Sequence, residues 1–213
     1  MRQSDNSELV VKHFEGLGDG DKKTPQLEAY ICPAGVGTLG FGHALYHPVT
    51  GAQLRVKTFG LSETIRLSNL AVAKRYGRPW ITVTEAEALL DEDMAKYSGG
   101  VSKLVGKAST NQNEFDALVS LAFNIGLANF GTSTVLKRHL AGNKLIDTRP
   151  MTALVPLSRT GATGTTQTQA FCAWSKSDGS WLPGLFKRRW VESELYFGHD
   201  VKKSLLIADA FKS

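Results

Sequence analysis

The sequence predicts an α+β chain, with one short glycine-rich β-hairpin set among helices. Three observations carry that expectation. Between Tyr30 and His43, apolar and β-branched residues flank a Pro33-Ala34-Gly35 turn, and the returning arm carries glycine at positions 37, 40 and 42. Two capping boxes, Thr84-Glu85-Ala86-Glu87 and Asn111-Gln112-Asn113-Glu114, each open an apolar run of helical period. A length of 213 residues is enough for one domain with a substantial core, divided into two lobes.

The elements follow in order. Ser7 is the expected N-cap of a helix running through Phe14 and ended by Gly16, Gly18 and Gly20. Glu15 then lies at a helix C-terminus, where the dipole disfavours a carboxylate, the direction a proton donor needs. Gly18–Pro25 reads as an exposed loop without the ligand ladder of a calcium site. In the hairpin, three glycines beside a turn suggest the wall of a groove. His47–Gly51 forms a turn, Gln53–Phe59 reads as a strand, and a helix runs from Ser62 to about Tyr76. The Thr84 box opens a long helix with Leu90, Met94, Tyr97, Val101 and Leu104 on its core side and an expected kink at Gly99-Gly100. The Asn111 box opens the most apolar helix, closed by Asn124, whose amide either caps carbonyls or points into a cleft. Thr132–Leu140 forms a further helix. Thr148–Ala170, rich in Thr, Ser, Gly and Ala, reads as a mobile loop. Pro183-Gly184 starts a helix bearing Lys187-Arg188-Arg189, and the tail packs back on the body.

Composition excludes several classes. No apolar run is long enough to cross a bilayer, and the polar, mixed-charge start of the sequence is not a signal peptide. The expected product is a cytosolic protein with no stable membrane association. Cys32 and Cys172 do not make a disulfide framework. The net charge of +5 suits a polyanionic partner, nucleic acid or bacterial cell wall, but no nucleic-acid motif is present. His43 and His47 lack metal-site spacing, so neither a metal nor a cofactor is expected.

Several blocks together resemble glycoside hydrolase family 24, the phage-type lysozymes. They are Phe14-Glu15-Gly16, Ala29–Gly35, Thr38-Leu39-Gly40-Phe41-Gly42-His43, Thr84–Leu90, Asn113–Ser120, Phe123-Asn124-Ile125-Gly126 and Trp181–Arg189. The resemblance implies a lysozyme-like α+β fold as a single catalytic domain. Its small lobe, about 15–83, carries the hairpin. Its helical lobe comprises about 84–199 and the N-terminal helix, the lobes are joined by a long helix, and 200–213 form a tail. It implies an endolysin cutting the β-1,4 bond between N-acetylmuramic acid and N-acetylglucosamine in bacterial peptidoglycan. Such an enzyme accumulates in the host cytoplasm until a holin releases it, and a monomer is the expected state. Of the family's catalytic Glu, Asp and Thr, Glu15 matches the first and Thr38 the third. Cys32 stands where the Asp usually is, and the loop after Glu15 is longer than usual, which makes Glu28 the alternative acid.

Glycoside cleavage needs an acid on the leaving oxygen and a second group that activates water or attacks the anomeric carbon. Glu15 is the expected acid. Cys32, as thiolate, serves as base toward a water held by Thr38 or as nucleophile, or else is a small buried hydrophobe. Arg188 or Arg189 is expected to pair with Glu15 or to act on substrate. Asn124 is a candidate contact for a sugar acetamido group, and Trp174 and Trp181 for stacking on sugar faces. His43 is expected to hold the hairpin by hydrogen bonds. The competing functions are a lytic transglycosylase working through Glu15 alone and a non-catalytic peptidoglycan-binding protein.

Overall fold

The fold comes from a computed structural model, which describes residues 1–18 and 25–212. The loop expected over Gly18–Pro25 therefore lies, for residues 19–24, outside the described residues. In chain order the elements are α1 (Asp5–Glu15), β1 (Leu27–Glu28), β2 (Tyr30–Ile31), β3 (Gly37–Leu39), β4 (His43–Ala44), α2 (Val56–Phe59), α3 (Leu61–Tyr76), β5 (Trp80–Ile81), α4 (Val83–Val105), α5 (Gln112–Ile125), α6 (Leu127–Thr132), α7 (Thr134–Leu140), α8 (Met151–Thr160), α9 (Gln167–Cys172), β6 (Lys176–Ser177), β7 (Ser180–Trp181), α10 (Pro183–Tyr196) and α11 (Val201–Ala210). They fall into two compact units, Glu15–Asp93 and a helical unit of Met1–Phe14 with Met94–Ser213.

In the first unit, β2, β3 and β4 form an antiparallel sheet with Tyr30 opposite Thr38, Thr38 opposite Ala44 and Leu39 opposite His43. The β2–β3 turn closes where Gly35 N–H donates to Cys32 C=O at 2.8 Å, with Gly35 at φ +70°. A side chain would be strained there, which is why the turn ends on glycine. Strand β1 pairs separately with β5, Leu27 opposite Ile81. Leu39, Leu45, Leu54, Leu67, Ile81 and Leu89 form the core of this unit. Only isolated bridges at Gln53 and Arg55 represent the strand expected over Gln53–Phe59, and the chain turns at Val56 into the helix α2. Helix α3 starts at Leu61 and stops at Gly77, which takes the left-handed conformation at φ +72°.

In the helical unit, α5 is the central element. Its residues from Glu114 through Ala122 are all buried, so it is enclosed on every side rather than along one stripe. The Asn111 capping box forms as read: Asn111 accepts from Glu114 N–H and Glu114 accepts from Asn111 N–H, both at 2.9 Å. Helix α10 packs along it and in turn carries α9 and α11, with Phe115, Phe171, Phe186 and Tyr196 fully buried.

Several local expectations are corrected. Helix α1 begins at Asp5, and Ser7 lies inside it, buried, donating to Asp116 C=O at 3.1 Å. The box opening α4 is Thr82–Glu85, two residues earlier than read: Glu85 accepts from Thr82 N–H at 2.8 Å and Thr82 accepts from Glu85 N–H at 3.2 Å. Gly99-Gly100 leaves α4 uninterrupted; a Cβ at Gly100 would fall 2.4 Å from a Leu127 methyl, so the glycine makes room for α6. The helix expected over Thr132–Leu140 is α7, which starts at Thr134 under a Ser133 cap; the short helix α6 before it was not anticipated. Thr148–Ala170 is not a loop throughout. It holds α8, which buries Met151, Leu154 and Ser158, and the start of α9, opened by a Thr166–Gln169 capping box.

Candidate active site

Glu15 is the last residue of α1, followed by Gly16 at φ +65°. Its carboxylate faces Gly42: a Cβ on Gly42 would sit 3.2 Å from Glu15 Oε2. Gly42 itself has φ +87°, a conformation that strains any side chain. The hairpin glycines thus divide by role. A Cβ at Gly37 would fall 2.2 Å from Ser68 Oγ on α3, and one at Gly40 would fall 2.9 Å from Ala86 Cβ on α4. Those two let helices approach. Of the three glycines expected to wall a groove, Gly42 is the one against Glu15.

Cys32 and Thr38 lie on one face of the hairpin. Alternation along a strand puts Tyr30 and Cys32 on the same side, and Thr38 stands opposite Tyr30 in the ladder. Cys32 N–H donates to Val36 C=O at 3.0 Å, which carries the pairing one residue beyond β2. The Cys32 thiol is half-buried, whereas Cys172 is buried in the helical unit, where desolvation pushes its thiol far up. Thr38 is 3% exposed, and its hydroxyl donates to Val36 C=O at 2.9 Å. That bond commits the hydroxyl proton to the backbone and leaves the oxygen lone pairs as acceptors.

Tyr30 was not among the residues marked for chemistry. It stands opposite Thr38 in the ladder with its ring against Gly18, and burial, then the charges of Glu15 and Cys32, push its phenol pKa up to about 12. The signal that could have found it is its spacing of two from Cys32 on a strand. His43 Nδ1 is 2.8 Å from Asp93 Oδ2, which anchors β4 to α4. No feature of the sequence marks Asp93 as that partner. Glu28, the alternative acid, sits in β1 opposite Trp80.

The other candidates belong to the helical unit. Arg188 and Arg189, expected to pair with Glu15 or to act on substrate, are 2% and 0% exposed. Arg188 Nε and Arg189 Nη2 donate to Glu192 Oε1 at 3.1 and 2.9 Å, and Ser120 Oγ donates to the same oxygen at 2.7 Å. Asn124 is exposed at the end of α5 and does not cap it; Gly126 N–H does, donating to Ala122 C=O at 2.9 Å. Trp174 is half-buried after α9. Trp181 Nε1 donates to Ser158 Oγ at 2.8 Å, and the Arg159 guanidinium lies 4.8 Å from the centre of its ring, so α8 holds that indole. Among the described residues no group of three or more His, Cys, Asp or Glu is arranged to hold a metal ion.

Comparison with known proteins shows which family the chain resembles. Residues 12–153 match the phage lysozyme family. The chain is 30% identical over 200 residues to an endolysin of Acyrthosiphon pisum secondary endosymbiont phage 1, covering 92% of this chain and 98% of that protein. It is 34% identical to the endolysin of Bacillus phage B103 over 91% of this chain, but spans only 53% of that relative's length. Among solved structures it resembles an endolysin from Escherichia coli O157:H7 phage FAHEc1, with TM-score 0.58, 30% identity, and coverage of 93% and 94% of the two chains. It also resembles the muramidase domain of SpmX from Asticaccaulis excentricus, with TM-score 0.54, 26% identity, and coverage of 92% and 98%.

Proposed function

The chain belongs to the phage lysozyme family, glycoside hydrolases that act on peptidoglycan, and we propose that Glu15, Cys32 and Thr38 carry its cleavage of the muramic acid–glucosamine β-1,4 bond. The observation that supports this most is local. Within one unit, the Glu15 carboxylate lies against Gly42, and Cys32 and Thr38 share a face of the hairpin that leads to it. Glu15 gives its proton to the leaving oxygen as the glycosidic C–O bond breaks. Thr38 is nearly buried and committed through its proton to Val36, so what it can hold as acceptor is something the size of a water. That water adds to the anomeric carbon and passes its proton to the Cys32 thiolate. This route inverts the anomeric centre; direct attack by sulfur, with a thioglycosyl intermediate, retains it.

No helix among the described residues is long and apolar enough to cross a membrane. Passage to the wall through a separate holin fits that feature and belongs to the same proposal.

The test is digestion of purified peptidoglycan by wild type, Glu15→Gln and Cys32→Ala, with products identified by mass spectrometry. Reducing muramic ends are expected from wild type, with both variants slower by at least about 100-fold, the usual reach of a proton-transfer group. Anhydro ends would mean that the muramic 6-hydroxyl replaces water, and an active Cys32→Ala would remove the thiol from the mechanism. Binding to wall without any new ends would leave a wall-binding protein.

A further inference from the structure

Three geometric facts converge on Tyr30. It stands directly opposite Thr38 in the β2–β3 ladder. It lies two residues from Cys32, on the same face. Its ring rests so closely on Gly18 that a Cβ there would fall 2.3 Å from Cε1 and Cζ and 2.5 Å from the hydroxyl oxygen. Gly18 in turn bonds through its N–H to Gly40 C=O at 3.1 Å. The ring is therefore seated on the backbone three residues beyond Glu15, at the point where that backbone joins the hairpin two residues before Gly42.

We propose that Tyr30 is a positioning residue of the cleavage site: its ring on Gly18 sets the path of the chain leaving Glu15, and its hydroxyl is a hydrogen-bond donor for the charge exchanged between Cys32 and Glu15. The inference rests on the roles assigned above to those two residues. In that reaction Cys32 begins as thiolate and ends as thiol, while Glu15 begins protonated and ends as carboxylate. One negative charge leaves sulfur and one appears on the carboxylate as the C–O bond breaks. A donor near both groups serves whichever is charged, provided it keeps its own proton. Burial and these two neighbours hold the phenol in that state, with its pKa pushed up to about 12.

Tyr30→Phe keeps the ring on Gly18 and removes only the hydroxyl. The expected result is a kcat on peptidoglycan lower by about 10-fold or more, with KM within about twofold and an unchanged thermal midpoint. A second readout needs no turnover. Alkylation of the Cys32 thiol by iodoacetamide at fixed pH should slow severalfold in Tyr30→Phe, while Cys172 stays silent because it is buried. Gly18→Ala removes the seat and leaves the hydroxyl, and should lower kcat as well. A Tyr30→Phe enzyme with wild-type kcat overturns the proposal whatever the alkylation rate. If the wild type itself cuts no peptidoglycan, the roles of Glu15 and Cys32 fall, and the alkylation rate decides: unchanged, it overturns the coupling of phenol and thiol too; slowed, it supports it.

Discussion

Gly42 holds its unusual backbone conformation with its Cα turned to the Glu15 carboxylate, so no other residue satisfies both constraints. Gly42→Ala should cost about 1–2 kcal/mol in stability from the left-handed backbone and displace Glu15 by a few tenths of an ångström. Hydrolysis should fall by more than the loss of folded enzyme accounts for, which paired melting and turnover measurements check. His139 carries a prediction of a different kind. Thr110 gives its hydroxyl proton to Ala108 C=O, so it accepts from His139 Nε2 at 2.7 Å; Tyr196 then donates to Nδ1 at 2.8 Å. This fixes a neutral tautomer, and burial, with Lys144 nearby, lowers the imidazole pKa below its usual 6.5. Below that pH the unfolded chain binds a proton that the folded chain refuses, so stability is full above 6.5 and declines as pH falls. The melting temperature should drop between pH 7 and pH 5, and less steeply in His139→Gln. At this scale the sequence singled out Glu15, Cys32 and Thr38 as candidates because each sits in a short block of recognisable neighbours. Tyr30 and Asp93 were not legible, since their roles come from a strand register and a contact 50 residues away along the chain.

Elements were easiest to read where local chemistry decides them. The Asn111 box, the Pro33–Gly35 turn and the Gly77 stop are each settled within four residues. The segment Thr148–Ala170 was misread because its small polar residues suit loops, while its helical signal is sparse. Met151, Leu154 and Ser158 recur at helical spacing, and Thr166-Gln167-Thr168-Gln169 is a capping box in plain sequence. Thr166 accepts from Gln169 N–H at 3.2 Å. Thr166→Ala should therefore cost about 1 kcal/mol, a fall of about 2–4 °C in Tm for a chain of this size. A calorimetric scan showing no fall would mean that tertiary contacts alone hold α9. The three hairpin glycines teach the converse: sequence reveals that something comes close, and only packing reveals that for Gly37 and Gly40 the visitor is a helix.

Charge is unevenly shared across the molecule. Residues 1–14 and 94–213 hold 17 Lys and Arg against 10 Asp and Glu, whereas residues 15–93 hold 8 against 10. An anionic wall is therefore expected to attract the helical unit more than residues 15–93. Sedimentation with purified wall should weaken as salt rises from 50 to 300 mM, because screening shortens the reach of surface charge to below about 10 Å. Lys→Gln changes in the helical unit should weaken it more than equal changes in residues 15–93. The composition foretold a basic protein but not this division, since the helical unit is built from two separate stretches of chain. Residues 2–13 reach across the sequence to complete it: Ser4 N–H donates to Asp116 Oδ1 at 2.8 Å, and His13 lies 3.0 Å from Asp209, 196 residues away. Contacts so distant along a chain are late to form, while residues 15–93 are contiguous and close their own sheet and core. On refolding, amides of the hairpin and α3 should gain protection from exchange before those of α1. Because Glu15, the proposed acid, is the final residue of that late helix, renaturation followed by hydrolysis should lag behind renaturation followed by hairpin protection, the enzyme staying silent until its first helix has found its place.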